Sequence, residues 1–470
     1  MALDPFHVVP GASPGAGRLL LITYHFPPGG AAGALRWQKL AGFLAAEGWR
    51  LDVITLDPSL LPSRDDARLA DLPAGTRVFG VRPRTTLTGR IDAWRGRMRA
   101  RRAGAAGPRD AAPQPASATR PAESLEPHEY SGRYFRPATW RRAWAAWLIH
   151  RRDMAWADAA AEAGRELARS EKYRVVLSSG PPHLAHEAAR RASVAAGAPL
   201  VVDYRDPWSF SRRLPESIAS PLYLWLARRD ESRVLKRAAL VLANTPALAR
   251  ELTRQRKPRR VETVMNGVDA ESVPPPAAAG RFSVVYAGTI YLDRDPRPFF
   301  AAAGKFARAH GLGADQFRIE LIGNVAQFGG RDIGQLAEEQ GLAPGLLDVV
   351  GYLSRADLFR HLAAASVLLS LPQDSAFAIP SKVFEYMSFE AWLLVLADRG
   401  TPVAELLEGS GALVVPPDDE GAIREALERC WRSREQGARP PRLAADARYS
   451  RAGQAARLVA ALRDLDGRAG

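Results

Sequence analysis

One cysteine in 470 residues, Cys430, leaves the chain without an internal disulfide and fits a reducing compartment. No uninterrupted apolar run reaches the roughly 18 residues that a membrane span needs. The N-terminal stretch MALDPFHVVPGASPGAG has no basic segment leading into a long apolar one, which speaks against a secretory signal peptide. The GxGxxG dinucleotide fingerprint is missing, and no cofactor is expected. Apart from one Asp-Arg-Asp triplet, no cluster of His, Asp and Glu stands at metal-ligand spacing, so no metal is expected either. These absences point to a cytoplasmic protein, either free or held peripherally on the inner face of the cell membrane.

What is present is apolar material for two cores. The chain is 47% hydrophobic and 25% charged, and single cores stop growing near roughly 250–300 residues. The net charge of +14 favours anionic partners such as nucleic acid, anionic lipid or phosphorylated ligands. That charge is uneven: residues 81–110 hold nine arginines against two aspartates. With its Ala, Gly and Pro, the stretch at about 85–130 reads as a flexible basic insertion without a core of its own.

Short apolar runs alternate with helical patterns. Strands are expected at 19–24, 51–56, 174–178, 200–203, 240–243 and 261–265. After a Pro-Ala run at 274–279 they recur at 282–287, 318–322, 348–350, 367–371, 393–397 and 412–415. Such alternation predicts an α/β protein of parallel sheets covered on both faces. Two units in tandem predict a cleft, with chemistry on the loops after the strands. The expected domains are residues 1–272, 273–445 and a C-terminal helix, 446–470, that returns to the first domain.

Those loops carry the candidates. FPPGGAAGALRW follows the first strand, where Gly29, Gly30 and Gly33 let the backbone come close to a ligand; a plain strand-to-helix turn is the competing reading. SSGPPHLAHEAARR puts His183 and His186 at a helix start, where a neutral imidazole suits a sugar hydroxyl or phosphate, and a capping or surface histidine is the alternative. DYRDPWSFSRR crowds Asp203, Arg205 and Asp206 at a strand end, as an ion pair or as groups that orient an acceptor. In the second half, VVYAGTIYLDRDPRPFF places Gly288, Thr289 and Arg294 after a strand, where a cation would neutralise a leaving diphosphate. Gly351, after the strand at 348–350, is assigned to the same side.

The segment SLPQDSAFAIPSKVFEYMSFEAWLLVLAD is the strongest. Ser381 is expected to cap a helix that carries Lys382 in its first turn. A cation there opposes the helix dipole and so suggests a bound anion. Glu385, one turn on, is suited to ribose hydroxyls, and a solvated Lys–Glu pair is the bland reading.

Together LLLITYHFPPGGAAGALR, SSGPPHLAH, VVDYRDPWS, NGVD at 266–269, YAGTIYLDRDPRP and IPSKVFEYMS resemble glycosyltransferase family 4, especially bacterial members that build cell-surface polysaccharides. The resemblance spans nearly the whole chain except about 85–130. It implies the GT-B fold, two Rossmann-like domains facing across a cleft, and transfer of a sugar with retention of configuration. The nucleotide-sugar donor would bind the C-terminal domain and the glycan or lipid-linked acceptor the N-terminal one. By the same resemblance Gly29 and Gly30 lie over the donor phosphates, and His186 fits the family's helix-start histidine better than His183. Thr289 stands where the family has an arginine and Arg294 where it has a lysine. Phe377 replaces the first of two paired glutamates, and Glu385 matches the second. His186, Arg294 and Lys382 are the expected catalytic groups. Gly29, Gly30, Gly288, Thr289, Gly351, Ser381 and Glu385 join them around the donor, and His183, Arg205 and Asp206 lie on the acceptor side. Asp293-Arg294-Asp295 mimics the DxD metal motif of single-domain glycosyltransferases, but the two-Rossmann layout is the wrong frame for it. An epimerase or phosphorylase on the same fold, or a basic membrane- or nucleic-acid-binding protein without catalysis, are the rivals. No nucleic-acid module appears in the pattern. Trp140, Trp144 and Trp147 share a helix face flanked by Arg141, Arg142, Arg151 and Arg152. They either pack on the sheet or face a lipid surface.

Overall fold

The computed structural model describes residues 3–11, 17–85, 139–210, 220–269, 273–275, 280–290, 294–373 and 376–466. The expected basic insertion at about 85–130 and most of the Pro-Ala run lie outside them. The chain divides into two compact units, 1–243 with 251–262 and 459–470, and 244–250 with 263–458.

The first unit is built on a sheet of eight strands. They are β1 (His7–Val8), β2 (Gly17–Thr23), β3 (Trp49–Leu56), β4 (Arg77–Val81), β5 (Tyr173–Gly180), β6 (Leu200–Tyr204), β7 (Ala238–Ala243) and β8 (Val261–Thr263). Their order is β1-β4-β3-β2-β5-β6-β7-β8. From β4 to β7 every neighbour is parallel, and β1 joins the edge antiparallel. β2 reads LLLI because both faces of a parallel sheet are covered, and Leu19 to Ile22 are wholly buried. The helices of this unit are α1 (Ala32–Ala46), α2 (Ala67–Ala70), α3 (Thr139–Ser170), α4 (Leu184–Ala196), α5 (Pro221–Arg237) and part of α6 (Pro246–Arg256). β1 and β4 fall outside the expected strands; Gly80 breaks the apolar run of β4, and β1 has only two residues.

The second unit holds six parallel strands in the order β13-β10-β9-β14-β15-β16. They are β9 (Phe282–Thr289), β10 (Phe317–Asn324), β13 (Leu347–Val350), β14 (Val367–Ser370), β15 (Trp392–Leu396) and β16 (Leu413–Val415). A two-residue hairpin, β11 (Gln327–Phe328) and β12 (Arg331–Asp332), stands apart. Its helices are α7 (Arg297–His310), α8 (Ile333–Glu339), α9 (Arg355–Ala364), α10 (Ser381–Tyr386), α11 (Pro402–Leu407), α12 (Glu420–Glu435) and the first half of α13 (Arg451–Asp466), whose second half belongs to the first unit. The twofold repeat of a strand sends Phe282, Val284 and Tyr286 into one core cluster and Val285 and Ala287 into the other, one on each face of the sheet.

The parallel part of each sheet starts in the middle, at β2 and at β9, and grows to one side before returning to the other. The order reverses between β2 and β5, and between β9 and β14. At such a reversal the loops leave in opposite directions and open a crevice at the carboxyl ends of the strands. Sites are therefore expected after β2 and β5 in one unit, and after β9 and β14 in the other.

Candidate functional site

In the second unit the reversal holds a small cavity of about 40 Å³, lined by Tyr286, Gly288, Arg294, Ser370, Leu371, Pro380, Lys382 and Tyr386 among others. It gathers Gly288 and Arg294 with Lys382, from two distant parts of the sequence. Arg294 donates from Nη1 to the Thr289 carbonyl at 3.2 Å, which also accepts the Tyr286 hydroxyl at 2.9 Å. Lys382 Nζ stands 2.5 Å from Glu385 Oε2, and Arg355 Nη1 is 3.5 Å from Glu385 Oε1. One carboxylate thus sits between two cations, and a third cation, Arg294, lines the same cavity as Lys382.

Two local devices set this geometry. The Ala287 N–H donates to Tyr386 Oη at 2.7 Å, and the Tyr386 hydroxyl donates to the Ala287 carbonyl at 3.2 Å. Tyr386 and Lys382, four residues apart, share a helix face, so the clamp holds Lys382 over the end of β9. Gly323, at φ +113, lets β10 approach β9: a Cβ there would lie 2.3 Å from the Gly288 carbonyl oxygen.

Not every expectation survives. Ser381 does not cap α10. Pro380 occupies the N-cap position without a side-chain bond, and Ser381 is the first helical residue, exposed to solvent. A cap must precede the helix with non-helical dihedrals, a place that Pro380 fills. Gly351 lies exposed after β13, an edge strand two places from the reversal, and does not line the cavity. Phe377 enters the fold through its carbonyl, which accepts the Thr245 hydroxyl at 2.5 Å. Asp295 accepts the Arg297 N–H and guanidinium, each at 2.9 Å, at the start of α7; Asp293 lies outside the described residues.

In the first unit the reversal brings the loop after β2 beside the turn after β5. His186 is wholly buried; Nδ1 lies 2.9 Å from the Ser178 hydroxyl, and Nε2 has no partner among the described residues. Burial, and then Arg205, push its pKa down to about 3, so the ring is neutral at physiological pH. His183 stacks on Trp208 at 5.4 Å and 15°, and burial first, then His186 and Arg205, hold it well below the ordinary value. His183 occupies the N-cap position of α4 without a side-chain capping bond. Unpartnered nitrogens of both rings converge on Gly180: a Cβ there would meet His186 Nε2 at 2.7 Å and His183 Nδ1 at 3.1 Å.

Asp203 is a structural anchor. It accepts Arg36 Nε at 3.0 Å and Nη2 at 2.8 Å, the Trp37 indole at 2.9 Å and the Ser179 hydroxyl at 2.8 Å, all buried. A buried carboxylate with this many donors is compensated rather than poised to react. Arg205 donates to the carbonyls of Gly180, at 3.2 Å, and of Pro181. Burial pushes the Asp206 carboxyl above its usual range, with Arg205 opposing. Gly33 is explained by Arg205 and not by a ligand, since a Cβ at 33 would lie 1.8 Å from Arg205 Nη1. The Gly29 N–H already donates to Phe26 at 3.0 Å and its carbonyl accepts Arg68 at 2.7 Å, whereas Gly30 is exposed.

Sequence reasoning missed Arg355, Tyr386 and Arg36. Arg355 carried a signal: it opens α9 directly after the capping Ser354, so it opposes the helix dipole just as Lys382 does. Arg36 carried none, because its partner lies far along the chain.

Comparison with known proteins agrees with this fold. Residues 117–272 match the model of Glycosyltransferase Family 4. No curated protein sequence matches the chain. Sucrose-phosphate synthase from Thermosynechococcus elongatus superposes with a TM-score of 0.59 at 14% identity, over 96% of this chain and 100% of that one. Anabaena HepE in complex with UDP and glucose gives 0.56 at 14% identity, over 96% and 100%. The α,α-trehalose 6-phosphate synthase from Burkholderia multivorans gives 0.55 at 14%, over 96% and 98%. The fold is GT-B. The family matched over residues 117–272 is the one the motifs resemble.

Proposed function

We propose that the cavity at the β9–β14 reversal receives the diphosphate of a nucleotide-sugar donor. The observation that carries this reading is the convergence of Arg294 and Lys382 on Gly288 at the crevice of a parallel sheet. Preorganised cations in a partly dry site stabilise charge that develops on a departing phosphate. In this reading Arg294 and Lys382 hold the leaving diphosphate, and Glu385 exchanges its Lys382 contact for ribose hydroxyls. The first unit supplies the acceptor side through His183, Arg205 and Asp206, and the neutral His186 hydrogen-bonds a sugar hydroxyl.

Transfer proceeds with retention. The acceptor oxygen attacks the anomeric carbon from the face that the diphosphate leaves. The bond from carbon to phosphate oxygen breaks as the new glycosidic bond forms, and the acceptor proton passes to the departing oxygen. In this reading no metal takes part, since Arg294 and Lys382 carry the charge of the leaving group. The acceptor is a glycan or lipid-linked sugar of a cell-surface polysaccharide, reached at the inner face of the membrane. No described helix is long and apolar enough to cross a membrane.

Titration calorimetry tests the donor site. HepE was seen with UDP and glucose, so UDP-sugars come first, followed by other nucleotide-sugars. Lys382→Ala and Glu385→Ala should each weaken donor binding by about 10- to 100-fold, the worth of one charge-assisted hydrogen bond. Unchanged affinity in both refutes the assignment. Rapid donor turnover without any acceptor would point to an epimerase or phosphorylase instead.

A further inference from the structure

The long helix α3 is two helices in behaviour. Its C-terminal half is core: Ala155, Trp156, Ala157, Ala160, Ala161 and Leu167 are buried where it packs on α4 and α5. Its N-terminal half keeps Ala146 inside and turns indoles outward. Trp140 is 66% exposed, Trp144 56% and Trp147 37%. Steps of four and three place them on one face. Trp144 and Trp147 stack at 5.0 Å and 23°, and Arg141 Cζ lies 5.4 Å from the Trp140 ring. Packing of these rings on the sheet, one of the two readings open from the sequence, is thereby excluded.

Three adjacent exposed tryptophans on a 32-residue helix form an apolar face that water does not favour. What covers it is decided by its rim. Arg151 stands on the face, Arg141 and Arg152 border it, and the whole chain carries +14. A second copy would bring two arginine rims together. The arginine-rich stretch at 81–110 of the same chain would meet the same repulsion. A bilayer containing anionic lipid satisfies both features at once: indoles settle at the headgroup level, and guanidinium groups pair with lipid phosphates.

We propose that the Trp140–Trp144–Trp147 face docks the first unit on an anionic membrane surface. The proposal deepens the peripheral attachment in the functional reading above but does not depend on the donor site, because vesicle binding needs no sugar and donor binding needs no vesicle. The probe is sedimentation with phosphatidylcholine vesicles, with and without an equal part of phosphatidylglycerol, at low and physiological salt. The wild-type chain should pellet with the anionic vesicles only, and less at higher salt. The triple variant Trp140→Ala, Trp144→Ala, Trp147→Ala should bind at least about tenfold more weakly, a loss of about 1.4 kcal/mol or more. It should keep its thermal unfolding and its UDP affinity. In the wild type, brominated lipids should quench a share of the tryptophan emission that the triple variant lacks, a readout independent of how that variant folds. A wild type that stays in the supernatant with anionic vesicles at low salt overturns the proposal. So does undiminished pelleting of the triple variant, or a wild-type dimer that the substitutions dissociate.

Discussion

Acidification should destabilise the first unit through His186, and the size of the effect follows from its surroundings. The ring is wholly buried, held on one side by Ser178, and its pKa is pushed down to about 3, chiefly by burial and then by Arg205. In the unfolded chain it returns to about 6.5. Between these two values the unfolded state binds a proton that the folded state refuses. The stabilisation is therefore complete above pH 6.5 and is lost as pH falls. The slope is about 1.4 kcal/mol per pH unit, or ~2 kcal/mol lost by pH 5. His183 shifts in the same direction and steepens the loss. Urea unfolding at pH 7.5, 6.5, 5.5 and 5.0 measures it. His186→Asn keeps a partner for Ser178 but cannot titrate, so its stability between pH 7.5 and 5.0 should fall by ~2 kcal/mol less than the wild type's. Equal falls in the two proteins, or a wild type whose stability is flat over this range, refute the reasoning.

Three further outcomes are expected. Gly33→Ala drives a methyl into Arg205 and releases the Gly180 and Pro181 carbonyls, costing about 1–3 kcal/mol by urea unfolding. In an Arg205→Ala background the same substitution should cost far less, and an equal cost in both backgrounds rejects the explanation. Gly323→Ala combines a φ of +113 with a backbone clash that no rotamer relieves. It should lower stability by about 3 kcal/mol or more and abolish donor binding in calorimetry; wild-type behaviour would show that β10 can yield. Transfer should persist in excess EDTA, and loss of activity restored by a divalent ion would contradict the metal-free mechanism.

How far the sequence could be read depended on the range of the interaction. Parallel strands were legible because burial on both faces writes continuous runs such as LLLI of β2 and VVY of β9. β4 was not, since Gly80 and its flanking charges hide a strand whose neighbour, β3, is what makes it one. Lys382 was legible because a cation at a helix start contradicts a local rule, and Arg355 was legible by that rule and overlooked. The Asp203–Arg36 pair was not, because nothing local links the two. The tryptophans mark a different limit: spacing places side chains on one face, but a buried face and a wet one have the same period.

The Tyr386 clamp has a consequence for how this site can diversify. Two hydrogen bonds from one hydroxyl index α10 against β9 directly. The position of Lys382 therefore does not rest on the stretch of chain between β14 and α10. The side chain at Phe377, which does not line the cavity, can therefore change while Lys382 keeps its place. In the reading proposed above, contacts to the sugar and the hold on the leaving diphosphate are then set by different parts of the chain, so new donors could be explored by changing side chains on one loop.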